Sequence, residues 1–310
     1  MQILCGLFGK SRHAYYEAQW QQKQETLEEA IILELVYELR LTMPLLGTRK
    51  LYHMIQEEMH RHCIKLGRDK FFELLSAHGL LLRRRRRKAQ TTNSRHWLKK
   101  HPNLIRFIEV TRAHELWVSD ITYIAVADRF SYLSLITDAY SRKIIGYHLS
   151  QALVSYGTLE ALKMAIGANW QPGSQLIHHS DRGVQYCSSE YIDILQRHSI
   201  LISMTEKSDP YENALAERIN GILKSEFGLS RTFVSHEEAE REVSASIEIY
   251  NTMRPHGSCD YRTPAEAHSG QGVLRRRWKN YYKGRPKSTA TEEKELSLEC
   301  KENSGIVESL

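Results

Sequence analysis

The stretch Leu116-Trp117-Val118-Ser119-Asp120-Ile121-Thr122-Tyr123-Ile124-Ala125-Val126 is rich in the β-branched and aromatic residues that suit a half-buried pleat. Alternation sets Asp120 on the same face as Val118, Thr122 and Ile124. An ionised carboxylate among such neighbours is costly unless a cation or a hydrogen-bond donor compensates it. Asp120 is therefore a candidate metal ligand, the plainer alternative being an Asp bonded to nearby backbone or Arg. Downstream, Phe130–Thr137 and Ile144–Leu149 extend the strand into an antiparallel meander, with turns at Ala127-Asp128-Arg129 and Ala139-Tyr140-Ser141-Arg142. A helix near Thr158–Ala168 crosses to a short strand ending before Asp181, and a helix near Ser188–His198 leads to the strand Leu201–Met204. Helices from Asn213 and from His236 to Tyr250 close an α/β unit in which three strands precede alternating helix and strand.

Two more acids fit that frame. Asp181 follows Gln175-Leu176-Ile177-His178-His179-Ser180, and the C-terminal end of a strand is where open α/β sheets place ligand groups. Gly183 is read as allowing the sharp exit of Asp181-Arg182-Gly183, although that tripeptide alone would make an ordinary turn. Glu217 stands on the first turns of a helix, with 35 residues between it and Asp181. At about 100° per residue, Lys224 falls within roughly 20° of Glu217, with Asn213 and Asn220 to either side. Leu215, Ile219 and Ile222 point the other way, toward a core. The alternative for this face is a solvated polar stripe of an amphipathic helix. Acids from a strand, a strand end and a helix make the oxygen set that hard divalent cations take. Asp138, at a strand-to-turn junction, is read as structural.

These residues carry a resemblance. Trp117 to Tyr123, His178 to Tyr186, Asn213 to Glu217 through Leu223-Lys224-Ser225-Glu226, and Tyr250 to His256 followed by Thr263-Pro264 resemble the integrase-core blocks of bacterial transposases. The likeness is to the insertion sequence three family, and within it to the second reading frame product. It implies an RNase H-like integrase core, with a mixed five-stranded sheet and flanking helices, preceded by a small all-α helix-turn-helix-like region. It implies a polynucleotidyl transferase in which Asp120, Asp181 and Glu217 hold two Mg²⁺ ions, with Mn²⁺ as a substitute, for DNA cleavage and strand transfer. DNA, at element ends and target, is the implied partner, with the first-frame product or its frameshift fusion and with further copies of the chain. Lys224, Asn213, Asn220, Arg254 and His256 would lie against DNA phosphates. Two rivals stand beside this reading: an RNase H-like nuclease or resolvase that cuts without joining, and a catalytically silent DNA-binding regulator.

Charge distribution agrees with a DNA-directed chain. The 310 residues carry a net charge of +6, unevenly placed. Residues 1–110 hold 20 Lys+Arg against 11 Asp+Glu, residues 111–270 hold 14 against 20, and residues 271–310 hold 9 against 6. A basic arm on an acidic core suits DNA grip joined to metal binding. No apolar run reaches the 18 or so residues of a membrane span, and the N-terminus is too short in apolar residues for a secretory signal. Five scattered cysteines without a Cys-x-x-Cys pair fit a reducing compartment. The expected location is bacterial cytoplasm, at the nucleoid.

The expected division is a helical DNA-binding region over 1–82, a basic linker over 83–110, the catalytic core over 111–270 and a basic, aromatic arm with a disordered tail over 271–310. In the first part, helices are expected near Thr26–Leu41, Thr48–Arg61 and Arg68–Ala77, with a turn at Leu46-Gly47-Thr48. No long heptad helix is evident there, which suits a catalytic partner of another chain. Arg83, Arg84, Arg85, Arg86, Arg87 and Lys88 would neutralise several phosphates.

Overall fold

The spine of the fold is β1 (Leu116–Val126), buried through its first four residues and alternately buried and half-buried from Thr122 onward. In this computed structural model the described residues are 9, 11–82, 98–106, 108–167, 175–206 and 213–274. All of them fall in one compact unit, Met1–Arg275. β2 (Arg129–Asp138) and β3 (Ile144–Ser150) follow as the antiparallel meander, and α4 (Ser155–Gly167) crosses toward β4 (Ile177–Ser180). Next come α5 (Ser189–Arg197), β5 (Leu201–Met204), α6 (Ala214–Glu226), a two-residue β6 (Thr232–Phe233), α7 (His236–Thr252) and α8 (Pro264–His268). The order is β3-β2-β1-β4-β5, with β4 and β5 parallel to β1. The five expected strands are joined by β6, which pairs with the far end of β1. Two residues are too short for a periodicity signal.

Helices cover both faces of the sheet. Trp117, Ile136 and Ile145 bury one face against Leu159 and Leu162 of α4 and Tyr191 and Leu195 of α5. Gly146 permits this approach, since a Cβ there would run into Ala161 O. The opposite face packs Ile124, Val126, Leu133 and Leu135 against Ile219 and Ile222 of α6 and Val243 and Ile247 of α7. Apolar burial of this kind contributes about 25 cal/mol per Å².

Ahead of the sheet lie α1 (Arg12–Thr42), α2 (Thr48–Arg61) and α3 (Arg68–Ala77). The last two match the expected bounds. α1 begins at Arg12 rather than near Thr26, because Ser11 caps it by accepting from Ala14 N at 3.0 Å and the following Ala, Glu, Gln and Lys are good helix formers. Its buried residues are Ile32 and Val36 only, so the early turns carry no apolar periodicity to read. Ile32, Val36, Leu51, Ile55 and Phe71 belong to the same hydrophobic cluster as Ile219, Phe227 and Tyr250. The helical region and the α/β core thus share one apolar interior.

Candidate active site

Register explains how two remote acids meet. Parallel pairing sets Val118 of β1 opposite His179 of β4. Two residues further along the chain in each case come Asp120, still on β1, and Asp181, the first residue past the end of β4. Asp181 Oδ1 accepts from Gly183 N at 3.0 Å. A Cβ on Gly183 would stand 3.0 Å from that same oxygen, and the backbone there is not left-handed. Gly183 therefore serves close approach to the carboxylate rather than a special turn.

The polar face of α6 supplies the third side. Asn220 donates from Nδ2 to Asp120 Oδ2 at 2.8 Å, and Asn213, at the start of the helix, donates from Nδ2 to Ser119 O at 3.1 Å. Those two bonds lay α6 along β1 and bring Glu217, which is exposed, and half-buried Lys224 to the same side. Asp120 is half-buried, and its Oδ1 also accepts from Ile121 N at 2.9 Å. Burial first, and then the charges of Asp181 and Glu217, push the Asp120 carboxyl up to about 7, although its hydrogen bonds from Asn220 and Ile121 oppose the rise. Burial lowers the Lys224 pKa, partly offset by the charge of Asp120.

Asp120 thus sits partly desolvated within reach of the charges of Asp181 and Glu217. Hard oxygen donors with excess negative charge fit a divalent cation, and a cation would relieve the cost that raises Asp120. The cage is not closed: among the described residues, no group of three or more His, Cys, Asp or Glu is arranged to hold a metal ion. The residues just before Asn213, 207–212, lie outside the described set.

Behind the acids sits a buried polar layer that sequence reading does not single out. His178 Nε2 meets Ser119 Oγ at 2.7 Å and Tyr191 OH at 2.9 Å. Burial, then the neighbouring His179, lowers His178 to about 3, so it is neutral at physiological pH. His179 Nδ1 bonds Ser203 Oγ at 2.8 Å, joining β4 to β5.

Several of the residues expected at DNA are bonded within the protein. Asn213 and Asn220 are buried and bonded to protein, as above, because the helix face that carries them packs on β1. Arg254 is 1% exposed and grips Glu226 with both ends of its guanidinium, Nε to Oε2 at 2.8 Å and Nη2 to Oε1 at 2.9 Å. Lys50 of α2 reaches the same carboxylate at 2.8 Å. His256 accepts or donates at Nδ1 with Ser258 Oγ, 2.8 Å away. Its pKa is lowered to about 2, first by burial and then by the charge of Arg254, Arg142, Lys50 and Arg218, so it carries no charge for a phosphate. Both Arg254 and Glu226 lie in the motif blocks, but nothing along the chain announces that they pair. Asp138 is fully buried and accepts from His114 N, Ser141 N and Ser141 Oγ at 2.7–2.8 Å, a structural knot at the β2 turn. Arg83 to Lys88 and the arm from residue 275 lie outside the described residues.

The comparisons with known proteins accord with this geometry. Residues 110–210 and 198–264 each match an integrase core domain. The insertion element IS600 uncharacterized 31 kDa protein of Shigella sonnei is 34% identical over 268 residues, covering 84% of this chain and 96% of that protein. The chain belongs to the insertion-sequence transposase family. Two further relatives are the transposase for insertion sequence element IS629 of Shigella sonnei, 30% identical over 71% of this chain and 73% of that one, and that for IS904 of Lactococcus lactis subsp. lactis (strain IL1403), 33% identical over 68% and 84%. The transposase has the integrase-type α/β core and is an enzyme of the Asp-Asp-Glu polynucleotidyl transferase type, serving DNA transposition. Among its described residues no helix is long and apolar enough to cross a membrane.

Proposed function

We propose that this transposase cuts and joins DNA at one site built from Asp120, Asp181 and Glu217. The observation that carries the reading is the polar stripe of α6 laid along β1: Asn220 bonds Asp120 directly, while Asp181 and Glu217 act on Asp120 through their charge. A pair of divalent cations held by these acids, Mg²⁺ or Mn²⁺, would supply Lewis-acid activation of the attacking oxygen and charge stabilisation of the leaving oxygen. The protein's part is positioning. Asn220 and the Ile121 amide hold the Asp120 carboxylate in one orientation, and the Gly183 amide does the same for Asp181. Asn213 fixes the start of α6, and so the height of Glu217, against β1. Lys224, desolvated beside Asp120, provides a positive charge for a phosphate brought to the acids. No side-chain nucleophile is required, because water or a DNA 3′-hydroxyl attacks.

Support for a DNA grip outside the core comes from sequence: the run Arg83–Lys88 and the basic segment Arg275–Lys283 suit phosphate neutralisation. The transposase would recognise the ends of its element, work with the first-frame product or as a fusion with it, and assemble as more than one copy on DNA. The test is a strand-transfer assay with an element-end duplex, target plasmid and Mg²⁺ or Mn²⁺. Metal-dependent joined product is expected, and Asp120→Asn, Asp181→Asn and Glu217→Gln should each abolish it. Cleaved ends without joined product would favour a nuclease, and nicking that survives Asp181→Asn would remove the assigned site.

A further inference from the structure

Along α1 runs an apolar stripe that faces solvent. Tyr16, Trp20, Leu27, Ala30, Tyr37 and Leu41 stand at the two alternating seam positions of a heptad repeat, and all six are exposed. Trp20 is 74% exposed, Leu27 63% and Leu41 84%. Single apolar side chains are ordinary on a surface, but a row of large ones at one spacing marks a contact face. At about 100° per residue the stripe lies roughly opposite Ile32 and Val36, which α1 buries in its own chain. A spacing of 3.5 residues is that of a helix packed along another helix. Only Tyr16 and Trp20 fall in the early turns, and Lys23 and Glu34 interrupt the repeat, so it emerges only over the whole helix. Every residue from Tyr15 to Leu27 is exposed, and a helical segment of that length is marginal in water without packing.

The two interruptions identify the occupant. Lys23 and Glu34 are exposed and stand at seam positions themselves. Parallel copies of α1 would set Lys23 against Lys23 and Glu34 against Glu34, like charges where they are most desolvated. Antiparallel copies, related by a two-fold axis level with the Glu28–Glu29 bond, set Lys23 of each copy against Glu34 of the other. The same axis brings Tyr16 opposite Leu41, Trp20 opposite Tyr37 and Leu27 opposite Ala30. Such self-complementarity is what an isologous two-fold interface requires. Glu17 and Glu38 approach one another only at the rim, where solvent and salt screen them. We propose that α1 docks antiparallel on α1 of a second copy of this chain, along a seam of about 38 Å at 1.5 Å per residue. This rests on the multi-copy assembly proposed above and gives it a surface, one that involves neither the acids nor DNA.

The test is sedimentation velocity of the full chain without DNA, over a range of concentrations. The wild type should dimerise, and Leu27→Asp should shift it toward monomer. Lys23→Glu should raise the dimer dissociation constant about tenfold or more, because symmetry turns two attractive pairs into two repulsive ones. The double exchange Lys23→Glu with Glu34→Lys should restore dimerisation, an outcome specific to the antiparallel register. All three positions are exposed, so circular dichroism and melting of the monomer should match wild type. A monomeric wild type, a dimer indifferent to Leu27→Asp and Lys23→Glu, or a Lys23→Glu defect that the double exchange leaves in place would each overturn the proposal. None of these results would touch the strand-transfer test of the acids, which stands or falls separately.

Discussion

Replacing Glu226 by Gln probes how the helical region is tied to the catalytic helix. Glu226 is the last residue of α6, 14% exposed, and its one carboxylate faces two cations: Arg254, 1% exposed, and Lys50, 19% exposed. Burial raises its pKa, but hydrogen bonds and charge from Arg254 and Lys50 outweigh that and leave the net shift downward. Lys50 shifts downward as well, since burial and the charge of Arg254 outweigh its own bond to Glu226. The anion is shared unequally, and the bidentate Arg254 pair dominates. Gln removes the charge and leaves a buried guanidinium without a counter-ion, which typically costs about 3–5 kcal/mol. At about 2–4 °C per kcal/mol for a domain of this size, Tm should fall by roughly 10 °C. The linkage sign follows from the depressed folded pKa. The stabilisation is complete above the unfolded carboxyl pKa of about 4.3 and is lost as pH falls through the lower folded value. Urea denaturation at pH 7 and near pH 3 is the assay: the gap between wild type and Glu226→Gln should be large at pH 7 and shrink in acid. A variant within about 1 kcal/mol of wild type at pH 7, well below the cost of a broken buried pair, would refute the reasoning.

Asp120→Asn should raise metal-free stability at pH 8 by on the order of 1 kcal/mol, because an acid pushed up to about 7 destabilises the fold once ionised; calorimetry without metal checks this, and an unchanged or lower Tm would contradict it. Gly183→Ala should cut strand transfer about 10²-fold by displacing Asp181, with little change in melting; near-normal turnover would show that the carboxylate has room to move. Asn220→Ala leaves Asp120 without its side-chain donor, and should weaken metal-dependent melting shifts while DNA affinity in a binding titration stays the same. Changing Arg83–Arg87 to Ala should flatten the plot of log affinity against log salt by about 0.9 for every phosphate no longer neutralised, an outcome that an unaltered slope would rule out.

Periodicity along the chain was enough to determine the strands Leu116–Val126 and Leu201–Met204, the helices Thr48–Arg61 and Arg68–Ala77, and the polar stripe from Asn213 to Lys224. Such features are local: a side chain's face follows from its place in a repeat of two or 3.6 residues. The extent of α1 escaped because its early turns bury nothing, so helix propensity and the Ser11 cap act without an apolar pattern. Which polar groups meet was decided only by the tertiary fold. Nothing in Arg254 or Glu226 separately says that they neutralise one another, nor does Asn220 by itself say that it bonds Asp120. Those outcomes depend on how α6 lies across β1 and beneath α2, where desolvation makes every buried charge find a partner. The acids could be named from their motifs, but their common surroundings came from parallel register and helix packing, which couple residues far apart in the chain.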